Sequence, residues 1–234
     1  MRYAPTVFDY AVVVLIIVFS MIEIALMPWM RKQRIIAYAY MTAYLWLTAI
    51  AILVLWHVTG RSFDQLFLGP TVWWRLVIGF GAAAAFGLLM TRQRTAMLRP
   101  KAISAVVRAM DAVAWMMPRT RAEQWWCVAL SVAAGVCEEI MFRGFAISFF
   151  AYFTGFPPAI LLSAFAFGLG HAYQDRKAIV PTGLFGLAMN AVVLVSGSLL
   201  PAIAMHVFQD LMMTDAGGRV MRASEDAATS TAAG

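Results

Sequence analysis

Long apolar runs separated by short polar loops make up most of the chain. A helix that crosses a membrane needs about 20 mostly apolar residues, and several runs reach that length. The first run, from Phe8 to Trp29, is too long and too bulky for a cleaved signal peptide, so we predict a retained span. We predict an all-α polytopic membrane protein with about seven transmembrane helices. Their expected positions are residues 8–29, 36–58, 72–91, 123–150, 158–173, 179–198 and 200–214.

A different pattern occupies residues 92–121, between the third and fourth predicted spans. Apolar side chains alternate there with basic and polar ones, which is typical of an amphipathic helix lying on a membrane surface. Pro100 fits the start of such a helix and Pro118 fits its end. After the last span, residues 216–234 are mostly small and polar, and we expect this tail to be disordered.

Composition places the chain outside the range of soluble globular proteins. Hydrophobic residues make up 62% and charged residues 13% of the chain, and the mean hydropathy is +0.77. The net charge of +6 comes from basic residues in loops that all fall on one side of the predicted topology. We therefore expect contact with an anionic lipid bilayer and not with nucleic acid. The same charge pattern predicts a multi-pass protein of a bacterial inner or plasma membrane, with its N-terminus outside and its C-terminus in the cytoplasm.

Three charged side chains, Glu138, Glu139 and Arg143, lie inside the otherwise apolar stretch from Trp125 to Phe153, where charge is costly and usually functional. Glu139 and Arg143 are at positions i and i+4, so they share a helix face and can pair. Glu138 is rotated from Glu139 by about 100° and is left to react. The acids of the first span, Asp9 and Glu23, are expected to snorkel or to pair within the bundle.

Two further pairs repeat the i, i+4 spacing on later spans. Phe167 precedes His171 in the fifth predicted span, and His206 precedes Asp210 in the seventh. Counted from the predicted span ends, however, His171 lies near the cytoplasmic edge, whereas Glu138 and His206 lie in the outer half of the bilayer. Short or tilted helices are one way to bring these groups together.

Peptide hydrolysis needs an activated water and a group that stabilises the oxyanion. We expect Glu138 to be the base, His171 to share its water, and His206 to donate to the oxyanion with Asp210 fixing its ring. Phe167 is expected to pack beside His171. Asp175, four residues after His171, is expected to be a solvated loop acid.

This ordered set resembles the CPBP family of intramembrane proteases, which includes CAAX prenyl endopeptidases of the Rce1 type and bacterial Abi proteins. The resemblance covers roughly residues 120–215 and implies a catalytic core there, preceded by N-terminal transmembrane helices and a basic amphipathic loop in residues 1–119. It implies an intramembrane endopeptidase acting on a peptide or membrane-protein substrate without a cofactor. The implied roles are water activation by Glu138 and His171, polarisation of the scissile carbonyl by His206 and Asp210, and structural support by Glu139 and Arg143.

Three alternatives stay open on the residues alone. Glu138, His171 and His206 also form a His₂Glu zinc set with Glu139 as base, although no HExxH sequence is present. The same groups would suit a proton-coupled carrier, or a polar network in a non-catalytic membrane partner protein. CAAX-type processing follows from the family name, but nothing in these residues specifies a prenylated substrate.

Overall fold

A computed structural model of the chain describes residues 3–172, 174 and 176–232, which form helices and connecting turns without a β-strand in those ranges. Five helical stretches are long and apolar enough to cross a membrane, and the prediction of an all-α polytopic membrane protein is confirmed. The five are α1 (Val7–Met30), α2 (Arg34–Val58), α3 (Trp73–Met97), the composite helix Arg121–Thr154 and the stretch Arg176–Ser196.

The remaining two predicted spans differ from these five. Helix α7 (Phe156–Gly170) is apolar but has only 15 residues, or about 22 Å of helix. Helix α9 (Leu200–Ala232) has 33 residues, and its second half is mostly polar. The exact number of membrane crossings therefore stays a prediction.

The composite helix Arg121–Thr154 contains a change of helix type. Helix α5 (Arg121–Ala133) passes into a π-helical segment, Ala134–Ala146, and then into α6 (Ile147–Thr154). Wider π-helical turns occur mostly at functional sites, and here they carry the three ionisable residues of the span. Gly135 lets α9 come close, because a Cβ atom at Gly135 would lie 2.6 Å from the backbone nitrogen of Val207.

The helices pack so that the π-helical segment lies at the centre. It contacts α2, α7 and α9, and to a smaller extent α8 (Ile179–Ser196). Asn190 of α8 donates a hydrogen bond of 2.8 Å to the carbonyl oxygen of Ile160 in α7, which connects these two helices.

Helix α1 covers one side of this bundle by packing on α2. The ring of Phe19 stacks on Tyr44 with centroids 4.5 Å apart. At the end where the chain enters α1, the buried Asp9 pairs with Arg61 at 2.7 Å, so the expected pairing of this acid is present. The hydrogen bonds that Arg61 donates to Asp9 raise the pKa of the guanidinium, which therefore stays charged.

Residues 92–121 differ from the single amphipathic helix predicted for them. Helix α3 continues to Met97, and only the short helix α4 (Ile103–Ala109) and two 3₁₀ turns follow. The physical reason is that the segment turns inward: Met117 is buried and packs so closely on α9 that a Cβ atom at Gly217 would meet its sulfur. A straight surface helix could not make that contact.

The structure also differs from the disordered tail expected for residues 216–234, since α9 continues to Ala232. Ala216, Val220 and Met221 are buried, so the first turns of this stretch have an apolar face to pack. Arg119 reaches Glu225 at 2.7 Å and adds a contact further along. Burial of a few small apolar side chains thus extends a helix that composition alone did not indicate.

Candidate active site

Glu139 and Arg143 form a fully buried ion pair inside the π-helical segment. Arg143 Nη1 lies 3.1 Å from Glu139 Oε1, and neither side chain is exposed. The i, i+4 pairing expected from the sequence is therefore present. A buried charge without a partner would cost several kcal/mol, so each of these residues needs the other.

Arg143 also joins the π-helical segment to two neighbouring helices. Its Nη2 donates to the carbonyl oxygen of Gly186 in α8 at 3.2 Å, and its guanidinium carbon lies 4.1 Å from the ring centroid of Phe167 in α7. A Cβ atom at Gly186 would come within 3.2 Å of that Nη2 atom, so a glycine suits this contact. The cation thus fixes the relative positions of three helices.

His206 projects from α9 toward both glutamates. Its Nδ1 lies 2.8 Å from Glu139 Oε1, the oxygen that also faces Arg143. Because a carboxylate only accepts, Nδ1 donates, and the ring turns Nε2 toward Glu138 at 3.9 Å and Asp210 at 3.8 Å. The sequence reasoning assigned the fixing of this ring to Asp210, and the structure gives that contact to Glu139.

His171 follows the last residue of α7 and faces Glu138 from the other side. Its Nδ1 lies 2.9 Å from the carbonyl oxygen of Phe167, which can only accept, so Nδ1 carries the proton and Nε2 has its lone pair. Nε2 lies 4.0 Å from Glu138 Oε2. The ring of Phe167 packs against His171 with centroids 4.7 Å apart, in the place expected for it. Asp175 lies outside the described residues.

Glu138 therefore lies between two histidine nitrogens at similar distances. Separations of 3.9 Å and 4.0 Å are too long for direct hydrogen bonds and match those that one bridging water spans. Glu138 Oε2 is buried and has no hydrogen-bond partner among residues 3–172, 174 and 176–232. The short helix α7 ends where His171 can approach Glu138, so the three side chains come together despite the different depths counted from the sequence.

A cavity of about 610 Å³ opens onto the acidic and histidine side chains of the site. Glu138, His171, His206 and Asp210 line one part of it. Much of the rest is apolar and adaptable, because long unbranched thioether side chains from four parts of the chain reach it. These are Met41, Met97, Met110, Met116, Met117 and Met213.

The zinc alternative was tested against this geometry. In the described part of the chain, no group of three or more His, Cys, Asp or Glu side chains is arranged to hold a metal ion. Glu139, the base in that alternative, is engaged by Arg143 and by His206 Nδ1 and does not face the cavity. The zinc alternative stays a prediction, and in it Glu139 would have to leave Arg143 and His206 to act as the base.

The role of Glu139 toward His206 is the feature that sequence reasoning missed. The two residues are 67 positions apart, and no local spacing connects them. The sequence contained only a weak indication of this contact. Two glutamates are adjacent in one apolar stretch, and pairing with Arg143 accounts for only one of them.

Three comparisons with known proteins bear on identity. Residues 120–212 match the family described as Rce1-like, type II CAAX prenyl endopeptidase Rce1-like. Neither curated proteins nor solved structures gave a match to the chain. The matched residues contain the π-helical segment, His171, His206 and Asp210, which are the groups that line or support the cavity. Residues 120–212 are therefore similar to the Rce1-like family of proteases, which agrees with the CPBP/Rce1 type that the motifs of the chain resemble.

Proposed function

We propose that this protein is an intramembrane endopeptidase that hydrolyses a peptide bond near the membrane surface with a water activated by Glu138 and His171. The observation that carries the proposal is the position of Glu138 Oε2, 4.0 Å from His171 Nε2 and 3.9 Å from His206 Nε2, at the wall of a large cavity. A water at that point would contact a base and a second acceptor at once.

In the first step the water would attack the scissile carbonyl carbon. Glu138 takes one proton of the water, and the lone pair on His171 Nε2 accepts a hydrogen bond from the other. The new carbon–oxygen bond moves the carbonyl electrons onto oxygen and forms a tetrahedral oxyanion. Glu138 is suited to this role because Glu139, not Glu138, is held by Arg143.

Stabilisation of the oxyanion falls to His206. With Glu139 accepting from Nδ1 and Asp210 near Nε2, two carboxyl groups favour a doubly protonated ring whose Nε2–H can donate to the oxyanion. Glu138 then passes its proton to the leaving amine as the carbon–nitrogen bond breaks, which returns the site to its initial state. In this mechanism Asp210 acts through His206, whose Nε2 lies 3.8 Å from Asp210 Oδ2.

The cavity favours a substrate with apolar side chains. Six methionines contribute to its wall, and such side chains adapt to many apolar shapes. The family description names CAAX prenyl endopeptidases, and a lipidated CAAX peptide is one substrate that fits. Secreted peptides, sorting tails and membrane-bound regulators of a bacterium fit equally, at a site reached from the cytoplasmic side.

The test uses the full-length protein in liposomes and a fluorescence-quenched farnesylated CAAX peptide, together with an unprenylated peptide of the same sequence. Glu138→Gln should abolish cleavage, because the amide cannot take a proton from water. Asp226→Asn, which changes an exposed carboxyl group near the end of α9, is the matched control and should cleave normally. Near-normal turnover by a folded Glu138→Gln variant would reject the assignment.

A further inference from the structure

A second, smaller cavity lies on another side of Glu138. It has a volume of about 60 Å³ and lies between α1, α2, the π-helical segment and the end of α7. Glu138 and His171 line both cavities, so the small one reaches the same two groups by a separate route. Its remaining polar lining comes from Ser20 and Glu23 of α1 and Tyr44 of α2.

Glu23 is unusual among the side chains of its helix. Most apolar residues of α1 are exposed, as suits a helix at the lipid boundary, where a carboxyl group facing lipid would be costly. Glu23 instead lies on the face that packs on α2, one turn after Phe19, which stacks on Tyr44. The carboxyl groups of Glu23 and Glu138 line the same small cavity and interact electrostatically across it.

The small cavity has both the room and the partners that water requires. A single water occupies about 10–15 Å³ of such volume, so about 60 Å³ has space for a short chain of waters. Each needs two to four polar contacts. Ser20, Glu23 and Tyr44 line the cavity, and so does Glu138, whose Oε2 is buried and has no hydrogen-bond partner among residues 3–172, 174 and 176–232.

We propose that Glu23 and the small cavity hold the water that supplies Glu138, so that Glu23 is a positioning residue for hydrolysis. The inference rests on the proposed function. Each turnover consumes one water, and a peptide that fills the large cavity would block resupply from that side. The small cavity provides a path that the substrate leaves open, with Glu23 ordering the waters between α1 and α2.

The first test detects water directly and needs no substrate. Pulsed hydroxyl-radical footprinting of the full-length protein in liposomes labels side chains that contact bound water. Tyr44 and Met141, which are buried but line the small cavity, should be labelled, whereas Phe145, buried in the core, should not. Ser20→Leu should fill the cavity and remove the labelling, and Met21→Leu on the exposed side of α1 should leave it unchanged.

The second test is kinetic and uses the farnesylated CAAX peptide. Glu23→Leu and Ser20→Leu should lower kcat at least severalfold with KM unchanged, because neither side chain lines the substrate cavity. Glu23→Gln, which retains hydrogen bonding, should recover part of the rate. Thermal unfolding of each variant checks that the fold is retained.

Two results would overturn the inference: absence of labelling at Tyr44 and Met141 in the wild-type protein, or wild-type kcat in a folded Glu23→Leu variant. Failure of the proposed function is distinguishable from both. In that case the wild-type protein would not cleave the peptide, and the footprinting result alone would decide whether the small cavity contains water.

Discussion

Glu139 Oε1 lies 2.8 Å from His206 Nδ1 and 3.1 Å from Arg143 Nη1, so one carboxylate oxygen connects a histidine of α9 to a cation of its own helix. All three side chains are almost completely buried. This contact orients the imidazole and keeps a proton on Nδ1. In the proposed mechanism the two adjacent glutamates therefore have different roles: Glu138 reacts, and Glu139 holds the histidine.

Glu139→Gln should reduce kcat strongly while leaving the protein folded. The amide carries no charge, so it favours the doubly protonated ring of His206 less than the carboxylate does and weakens the Nε2–H donor to the oxyanion. We expect a loss of about 10²-fold or more, with little change in KM. Steady-state kinetics with the farnesylated peptide measure this loss of kcat.

Glu225→Gln, which removes an exposed carboxylate paired with Arg119, is the control for Glu139→Gln. Near wild-type kcat for Glu139→Gln would contradict the role of Glu139.

Arg143→Ala should first appear as a loss of stability. Removing the guanidinium leaves the buried Glu139 charge unpaired, which costs about 3–5 kcal/mol, and frees the helices that Arg143 joins. Yield and thermal unfolding in detergent should both fall relative to Arg219→Ala, where the lost ion pair is largely exposed. If Arg143→Ala is instead stable, well folded and inactive, Arg143 acts directly on the substrate.

Gly135→Ala should displace α9 from the π-helical segment. The added methyl group would lie 2.6 Å from the backbone nitrogen of Val207, the residue after His206, and backbone atoms cannot move aside as a flexible side chain can. Both activity and melting temperature should fall. Gly81→Ala is the matched control, because a Cβ atom there meets nothing within 4 Å; equal behaviour of the two variants would mean that this close approach has no importance.

Metal dependence is decided by measurement on protein purified without added metal. Water activation by Glu138 predicts substoichiometric zinc and activity that survives exhaustive chelation. The alternative requires an ion about 2.0–2.2 Å from Glu138, His171 and His206. One tightly held zinc per chain, with activity lost on removal and restored on return, would establish the metal mechanism and reject ours.

Local spacing was enough to predict several features of this protein. The long apolar runs predict an all-α membrane protein because a bilayer accepts only segments whose backbone hydrogen bonds are satisfied internally. The Glu139–Arg143 pair follows from helical spacing, since neighbours at i and i+4 face each other whatever surrounds them. The ordered Glu138, His171 and His206 positions indicated the family for the same reason, as each lies in a short local pattern.

Tertiary packing alone decided the rest. The contact between Glu139 and His206 joins residues 67 positions apart and depends on how closely α9 approaches at Gly135. The inward turn of residues 98–117 and the helical tail depend on which apolar side chains pack against other helices. Amino-acid composition does not contain that information. Counting each span separately puts His171 and Glu138 at different depths, whereas the packing of α7 brings His171 Nε2 to 4.0 Å from Glu138 Oε2. Hydrophobic periodicity therefore determines helices and their faces, and only the three-dimensional contacts determine which of those faces meet.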